Sequence, residues 1–301
     1  MRLGILCPGQ GSQSLQMLDI LKDNLCAQEI LNIAKQYVPN EVFTDTKEEL
    51  IFKNEYAQVL ICATQLALWN AIKNEIPTPS LFAGYSLGEL SIYGCVGSLS
   101  YEESISLAHQ RALMMNASSP KDSRLLSSKN VSYKKIQALC EKTGVYISIV
   151  NVDNHFIIGG ENKKLSIFED LAKEEGASIK ALSINVASHT PLLKKASESF
   201  LTLLEKQDFK TPLIPTISSI DCDFIYEKDM AIATLSKQIS QKIQWKNSLE
   251  TMLEYGCDTV LELGPGNVLS KMLQKLDPNI KIRSVSDFKT IQGVISWLNK
   301  G

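Results

Sequence analysis

The sequence predicts an α/β fold in two parts, a large domain around a parallel sheet and a small ferredoxin-like α+β subdomain inserted into it. Three observations predict it. Short apolar runs that end in glycine turns, at 3–7, ahead of Gly84 and at 259–263, read as buried strands. Long helical patterns alternate with them, as in an α/β body. From Arg124 to about Val186 the rhythm changes to short strands and two helices in the order βαββαβ. The large domain is therefore expected at 1–123 and 187–301, and the inserted subdomain at 124–186.

In chain order, Leu-Gly-Ile-Leu-Cys at 3–7 is the first strand, and Pro8-Gly9-Gln10-Gly11-Ser12-Gln13 is too rich in glycine for regular structure. A helical region follows to about Gln36. Residues 57–74 are apolar on most faces, as in a helix packed inside a domain. Pro77-Thr78-Pro79 breaks the pattern before the next strand. Ser100, with Glu103 three residues on, caps a helix that runs to about Asn116. In the subdomain, strands are expected at 124–128, 145–150, 155–159 and 179–184, helices at 132–143 and 161–176, and a turn at Gly159-Gly160. Beyond it come a helix at 190–206, a strand near 213–218, helices near 229–241 and 245–255, a strand at 259–263 and the turn Gly264-Pro265-Gly266.

With 301 residues, 44% hydrophobic and 21% charged, the chain can bury a core without disulfides or metal. A net charge of -2 argues against nucleic acid as a partner. Seven widely spaced cysteines, odd in number and without Cys-x-x-Cys, fit a reducing compartment. No secretion signal is evident at the N-terminus, and no apolar run approaches the roughly 18 residues of a membrane span. A cytoplasmic protein without membrane insertion is expected.

Gly84-Tyr85-Ser86-Leu87-Gly88 matches the Gly-x-Ser-x-Gly pattern of a nucleophile elbow. In such an elbow the serine takes strained backbone angles, and the glycines let a strand and a helix approach closely. The bare pattern also arises by chance, and a serine hydroxyl needs a base. His109 lies within a helix and His155 at a strand start. His189, in Asn185-Val186-Ala187-Ser188-His189-Thr190-Pro191, sits in a loop between a strand and a helix, where a rigid scaffold presents reactive groups. The order Ser86 then His189 suits an α/β-hydrolase-like large domain, yet no acid between them stands out on a strand-end loop. Arg111 is one of only four arginines among 31 basic residues. It reads either as a surface residue of an amphipathic helix or as a fork for a carboxylate.

The Pro8–Gln13 loop, the Gly84–Glu89 elbow, Gln110-Arg111-Ala112-Leu113-Met114, Ser188-His189-Thr190-Pro191, Gln244-Trp245 and Leu261-Glu262-Leu263-Gly264-Pro265-Gly266 are six segments in order. Together they resemble the malonyl-CoA:acyl carrier protein transacylase family. The resemblance implies a ping-pong acyl transfer with Ser86 as nucleophile and His189 as general base. It implies an oxyanion hole from the backbone N–H groups of Gln10 and Leu87, and a carboxylate clamp at Arg111. It also implies that a main-chain carbonyl at Gln238 orients His189, which would account for the missing acid. The implied substrates are malonyl-CoA and the phosphopantetheine-type thiol of a carrier protein, with no bound cofactor or metal; a monomer is expected.

Two positions depart from the family pattern. Tyr85 replaces the histidine usual before the nucleophile, and Ser188 stands where malonyl-specific members commonly have phenylalanine, so an α-methyl group on the substrate would find more room. Together with Cys95 and the segment 149–160, these positions resemble the malonate decarboxylase epsilon subunit, which loads malonyl onto a dedicated carrier subunit. That branch is the expectation. The alternatives are a transacylase of fatty-acid synthesis, which uses acyl carrier protein, and a related acyl-thioester hydrolase.

Overall fold

Leu3–Cys7 forms strand β1, buried along its whole length, as a strand must be when both faces of its sheet are covered. The computed structural model describes residues 1–43 and 48–300. The helical region expected up to Gln36 is two elements, a 3-10 stretch Leu15–Leu21 and helix α1, Leu25–Ala34. Asn24 separates them, because its side chain accepts from the Ala27 N–H at 3.0 Å and starts α1 afresh. Helix α2, Asn54–Ile72, is buried on most faces and packs against α1. Strand β2, Leu81–Gly84, lies parallel to β1 with Cys7 opposite Gly84. Helix α3, Leu87–Cys95, leaves directly from the turn after β2. Helix α4, Tyr101–Ser118, starts at the expected capping box of Ser100 and Glu103 and packs on α2.

The small sheet follows as β3 Ser123–Lys129, α5 Tyr133–Thr143, β4 Tyr146–Val150, β5 Phe156–Glu161, α6 Asn162–Glu174 and β6 Ser178–Ala181. Its order is β4-β5-β3-β6, all antiparallel, which is the ferredoxin-like arrangement. Leu126, Ile136, Phe156, Ile158, Leu165 and Phe168 give it a core of its own. Gly159 and Gly160 are not a turn but lie inside β5. A Cβ at Gly159 would stand 2.8 Å from Thr190 Cγ2, so the glycine admits a neighbouring loop onto the strand.

The chain then returns through α7 Lys194–Leu204, β7 Thr216–Ile217, β8 Phe224–Ile225, α8 Lys228–Lys237, α9 Trp245–Glu254, β9 Thr259–Glu262, α10 Val268–Leu276, β10 Lys281–Ser284 and α11 Ile291–Asn299. The strand expected at 213–218 shrinks to two residues, because Pro212 and Pro215 have no N–H to give a ladder. The large sheet runs β10-β9-β1-β2-β7-β8. Only the pairing of β7 with β8 is antiparallel, so the parallel core acquires one reversed edge strand. β1 has β2 on one side and β9 on the other, and the loops at the carboxyl ends of β1 and β2 meet where α/β proteins bind ligands. Among the described residues no helix is long and apolar enough to cross a membrane, and no cluster of three or more His, Cys, Asp or Glu side chains could hold a metal ion.

Candidate active site

Strand β2 delivers Ser86 to the turn that starts α3. Its backbone stands at φ 56° and ψ -111°, a conformation that side-chain-bearing residues rarely take and that the surroundings must enforce. They do so at two points. The Tyr85 N–H donates to the Cys7 carbonyl at 2.9 Å. A Cβ on Gly88 would collide with that same carbonyl, and one on Gly84 with the main chain of Gly88 and Glu89. Helix α3 therefore rests directly on the end of β1, and Ser86 is held at the top of the contact.

His189 reaches Ser86 from a loop that is tied down on several sides. Its own backbone is left-handed, φ 60°, and its N–H donates to the Ile239 carbonyl at 2.8 Å. From β4, the Ser148 hydroxyl donates to the Ser188 carbonyl at 2.7 Å, and Gly159 leaves the space that Thr190 fills. His189 Nδ1 bonds the main-chain carbonyl of Gln238. A carbonyl only accepts, so Nδ1 carries the proton and Nε2 is bare in the neutral ring. Nε2 lies 2.7 Å from Ser86 Oγ, which donates to it. Burial, reinforced by the Arg111 charge, pulls the imidazole pKa down to about 3, against the pull of the Gln238 carbonyl. The ring is thus neutral near pH 7 and free to accept the serine proton.

Arg111, on α4, is fully buried. Nη1 donates to Gln58 Oε1 at 2.7 Å and Nη2 to Gln238 Oε1 at 3.3 Å, while Nε has no partner among the described residues. Burial lowers its pKa only to about 10, with Glu89 acting in the opposite direction, so it keeps its charge near neutral pH. Glu89 is itself buried, accepts from the Ser219 hydroxyl and N–H, and is pushed up to about 7 by burial. A buried guanidinium facing two neutral amides, with its Nε–H unused, is a place where a carboxylate gains more than an amide does.

Gln238 joins all three groups. Its carbonyl holds His189, its side-chain oxygen accepts from Arg111, and its Nε2 donates to the Ser86 carbonyl at 2.8 Å. Ser86 and His189 open on a cavity of about 210 Å³ between the large body and the small sheet, with the Gln10 loop and α10 as further walls. Arg111 lies behind this cavity rather than lining it. Gln10 is in the wall, and Leu87 is the first residue of α3. Among the described residues neither of their backbone N–H groups has an acceptor, so both remain able to receive an oxyanion. A larger hollow of about 490 Å³, beside Ser12, Pro265 and Lys289, touches neither Ser86 nor His189.

The structure also brings in residues that sequence reasoning passes over. Gln58 and Gln65 are fully buried on α2. Seven residues apart, they share a face, where Gln58 holds Arg111 and Gln65 holds the Pro8 carbonyl at 2.6 Å. Two glutamines seven residues apart, in a helix apolar on most faces, were the signal for both. His155 stands in the cavity wall with Nε2 2.8 Å from Ser127 Oγ; no motif marks that pair, because only the folded small sheet brings the two together.

Residues 5–291 match the acyl transferase domain family. The malonyl CoA-acyl carrier protein transacylase of Bacillus subtilis (strain 168) is 28% identical over 99% of this chain and 98% of its own length. Its namesake from Staphylococcus aureus (strain MW2) is 24% identical over 97% and 98%. Among solved structures, the acyl-carrier-protein S-malonyltransferase of Burkholderia pseudomallei 1710b superposes with a TM-score of 0.92 at 24% identity, over 98% of this chain and 100% of that one. A malonyl-transacylase solved in complex with its type II PKS acyl-carrier protein gives 0.93 at 24% identity, over the whole of both chains. At that identity the structural likeness speaks for the fold. The match to the family spans nearly the whole sequence, and the chain belongs to the acyl transferase domain family.

Proposed function

We propose that this acyltransferase moves malonyl from malonyl-CoA to the thiol of an acyl carrier protein through an acyl-serine. Ser86 Oγ attacks the thioester carbonyl as its proton passes to His189 Nε2. The oxyanion is received by the Gln10 and Leu87 N–H groups. The C–S bond breaks, and His189 returns the proton to the departing CoA sulfur. In the second half, the carrier thiol gives its proton to His189 and attacks the acyl-serine carbonyl. The C–O bond breaks, and the proton goes back to Ser86 Oγ.

One observation carries the choice of acyl group: Arg111 is fully buried, charged, and among the described residues hydrogen-bonded only to the neutral amides of Gln58 and Gln238. The free carboxylate of malonyl displaces one of these amides and is bound by the guanidinium fork, whereas acetyl leaves the fork on its amides. The names of the relatives support the same substrate and favour acyl carrier protein over the malonate decarboxylase carrier that Tyr85 and Ser188 suggested. Incubation with radiolabelled malonyl-CoA should leave a covalent malonyl-enzyme. Equal labelling of Ser86→Ala would remove the nucleophile assignment, and rapid loss of label to water without a carrier thiol would make the protein a hydrolase.

A further inference from the structure

Across the cavity from the large body, the wall is the face of the small sheet that carries Leu125, Ser127, Ile149 and Ile157. On β3, Leu125 and Ser127 are two residues apart and share this face, while Leu126 points to the other side, into the core beneath α5 and α6. Its strand side chains that line the cavity are apolar except Ser127, whose hydroxyl is 2.8 Å from His155 Nε2. His155, just before β5, is fixed by two backbone bonds, its N–H to the Val152 carbonyl at 3.2 Å and its carbonyl to the Asn151 N–H at 2.9 Å. The pair therefore stands at a fixed place in the same cavity as Ser86, with no part in the proton transfers assigned above.

The hydrogen-bonding capacity of the pair is not used up by its internal bond. If Ser127 donates to Nε2, its oxygen lone pairs remain for a donor. If Nε2–H donates to Ser127, the hydroxyl proton remains for an acceptor. Burial, with help from Lys129 and Lys275 and against Asp153, pulls the His155 pKa down to about 4, so the imidazole is neutral near pH 7. A neutral station that can give or take one hydrogen bond suits an amide and offers nothing special to a carboxylate or a phosphate.

We propose that Ser127 and His155 form a hydrogen-bonding station for an amide of the pantetheine-type arm that brings each thiol to Ser86. This rests on the transacylase reading. The arm alternates methylene runs with amides, and the wall it must pass alternates apolar side chains with this one polar pair. Both half-reactions use an arm of that type, so one station serves donor and acceptor alike.

The test compares two donors with the same acyl group, malonyl-CoA and the malonyl thioester of ethanethiol, which has no amide. For Ser127→Ala and His155→Leu, kcat/KM for malonyl-CoA is expected to fall about tenfold relative to the short donor, the scale of one lost hydrogen bond, mainly through KM. An unchanged ratio in both variants, whether both donors suffer equally or neither suffers, overturns the station and leaves the transacylase reading standing. A wild-type protein that takes malonyl from neither donor overturns both. Because the short donor reports on the same folded site, loss of folding cannot mimic the expected result.

Discussion

Gln238 accepts a hydrogen bond from Arg111 Nη2 at 3.3 Å on its side-chain oxygen while its side-chain nitrogen donates to the Ser86 carbonyl at 2.8 Å. One amide thus couples the strained serine to the buried charge. Gln238→Ala removes both bonds but keeps the main-chain carbonyl that holds His189. Malonyl-enzyme formation is expected to slow by roughly ten- to a hundredfold, since a bond to a charged group is worth about 1.5–3 kcal/mol. Gln238→Glu should be worse for malonyl than Gln238→Ala, because the new carboxylate occupies Arg111. Rapid-quench labelling of the two variants checks the order, and the reverse order would separate Gln238 from the clamp.

Arg111→Ala tests the acyl specificity itself. Losing one partner of a buried charge pair costs about 2–5 kcal/mol, so malonyl transfer should fall by more than an order of magnitude while acetyl transfer is kept or rises. Glu89 does not block this variant, because burial already pushes its pKa up to about 7 and it can take a proton when the neighbouring charge is removed. Competition between labelled malonyl-CoA and acetyl-CoA measures the ratio. A ratio unchanged from wild type would sink the clamp.

Much of this site was legible in the sequence because its parts are local. Gly84 to Gly88 specify the elbow within five residues, and the loop character of His189 follows from its neighbours. What is not local was not legible. The side chain of Gln238 has no sequence signature, since its role comes from a turn after α8 that faces both α3 and α4. Gln58 is 53 positions from Arg111 and meets it only because α2 and α4 pack together. The glycine pair at 159–160 invited a turn, but Gly159 serves the approach of Thr190 to a strand. The short last elements, α10, β10 and α11, escaped notice because each spans nine residues or fewer, too few for periodicity to separate helix from strand.

The buried imidazole makes a prediction about pH. An exposed histidine would give an acid limb near pH 6.5, the ordinary value, whereas His189 is pulled down to about 3. In the free enzyme it stays neutral through that range, so malonyl-enzyme formation should show no fall centred near pH 6.5. The sign for stability is the same: between about 3 and 6.5 the unfolded chain binds a proton at this position and the folded one does not, so His189 contributes stability that is lost as pH falls through that window. Single-turnover rates between pH 5 and 8, a range chosen to bracket the ordinary histidine value (about 6.5), check the first part. A midpoint near 6.5 that disappears in His189→Gln would mean the ring is solvated rather than buried.

The elbow itself can be tested with two glycines of opposite kind. Gly88→Ala places a methyl group against the Cys7 carbonyl, and β1 cannot yield because β2 and β9 flank it in register. Helix α3 must then shift, carrying the Ser86 turn with it. Overpacking of this sort costs about 1–3 kcal/mol, occasionally more, and contact with fixed backbone puts Gly88→Ala at the upper end. Gly176→Ala has open space around it and only its left-handed backbone, φ +87°, to contend with, a penalty of about 1–2 kcal/mol. Urea denaturation should therefore rank Gly88→Ala as the less stable, and only that variant should lose malonyl-enzyme formation while still folded. If both lose stability equally and both keep the reaction, the close seat of α3 on β1 is not what positions Ser86.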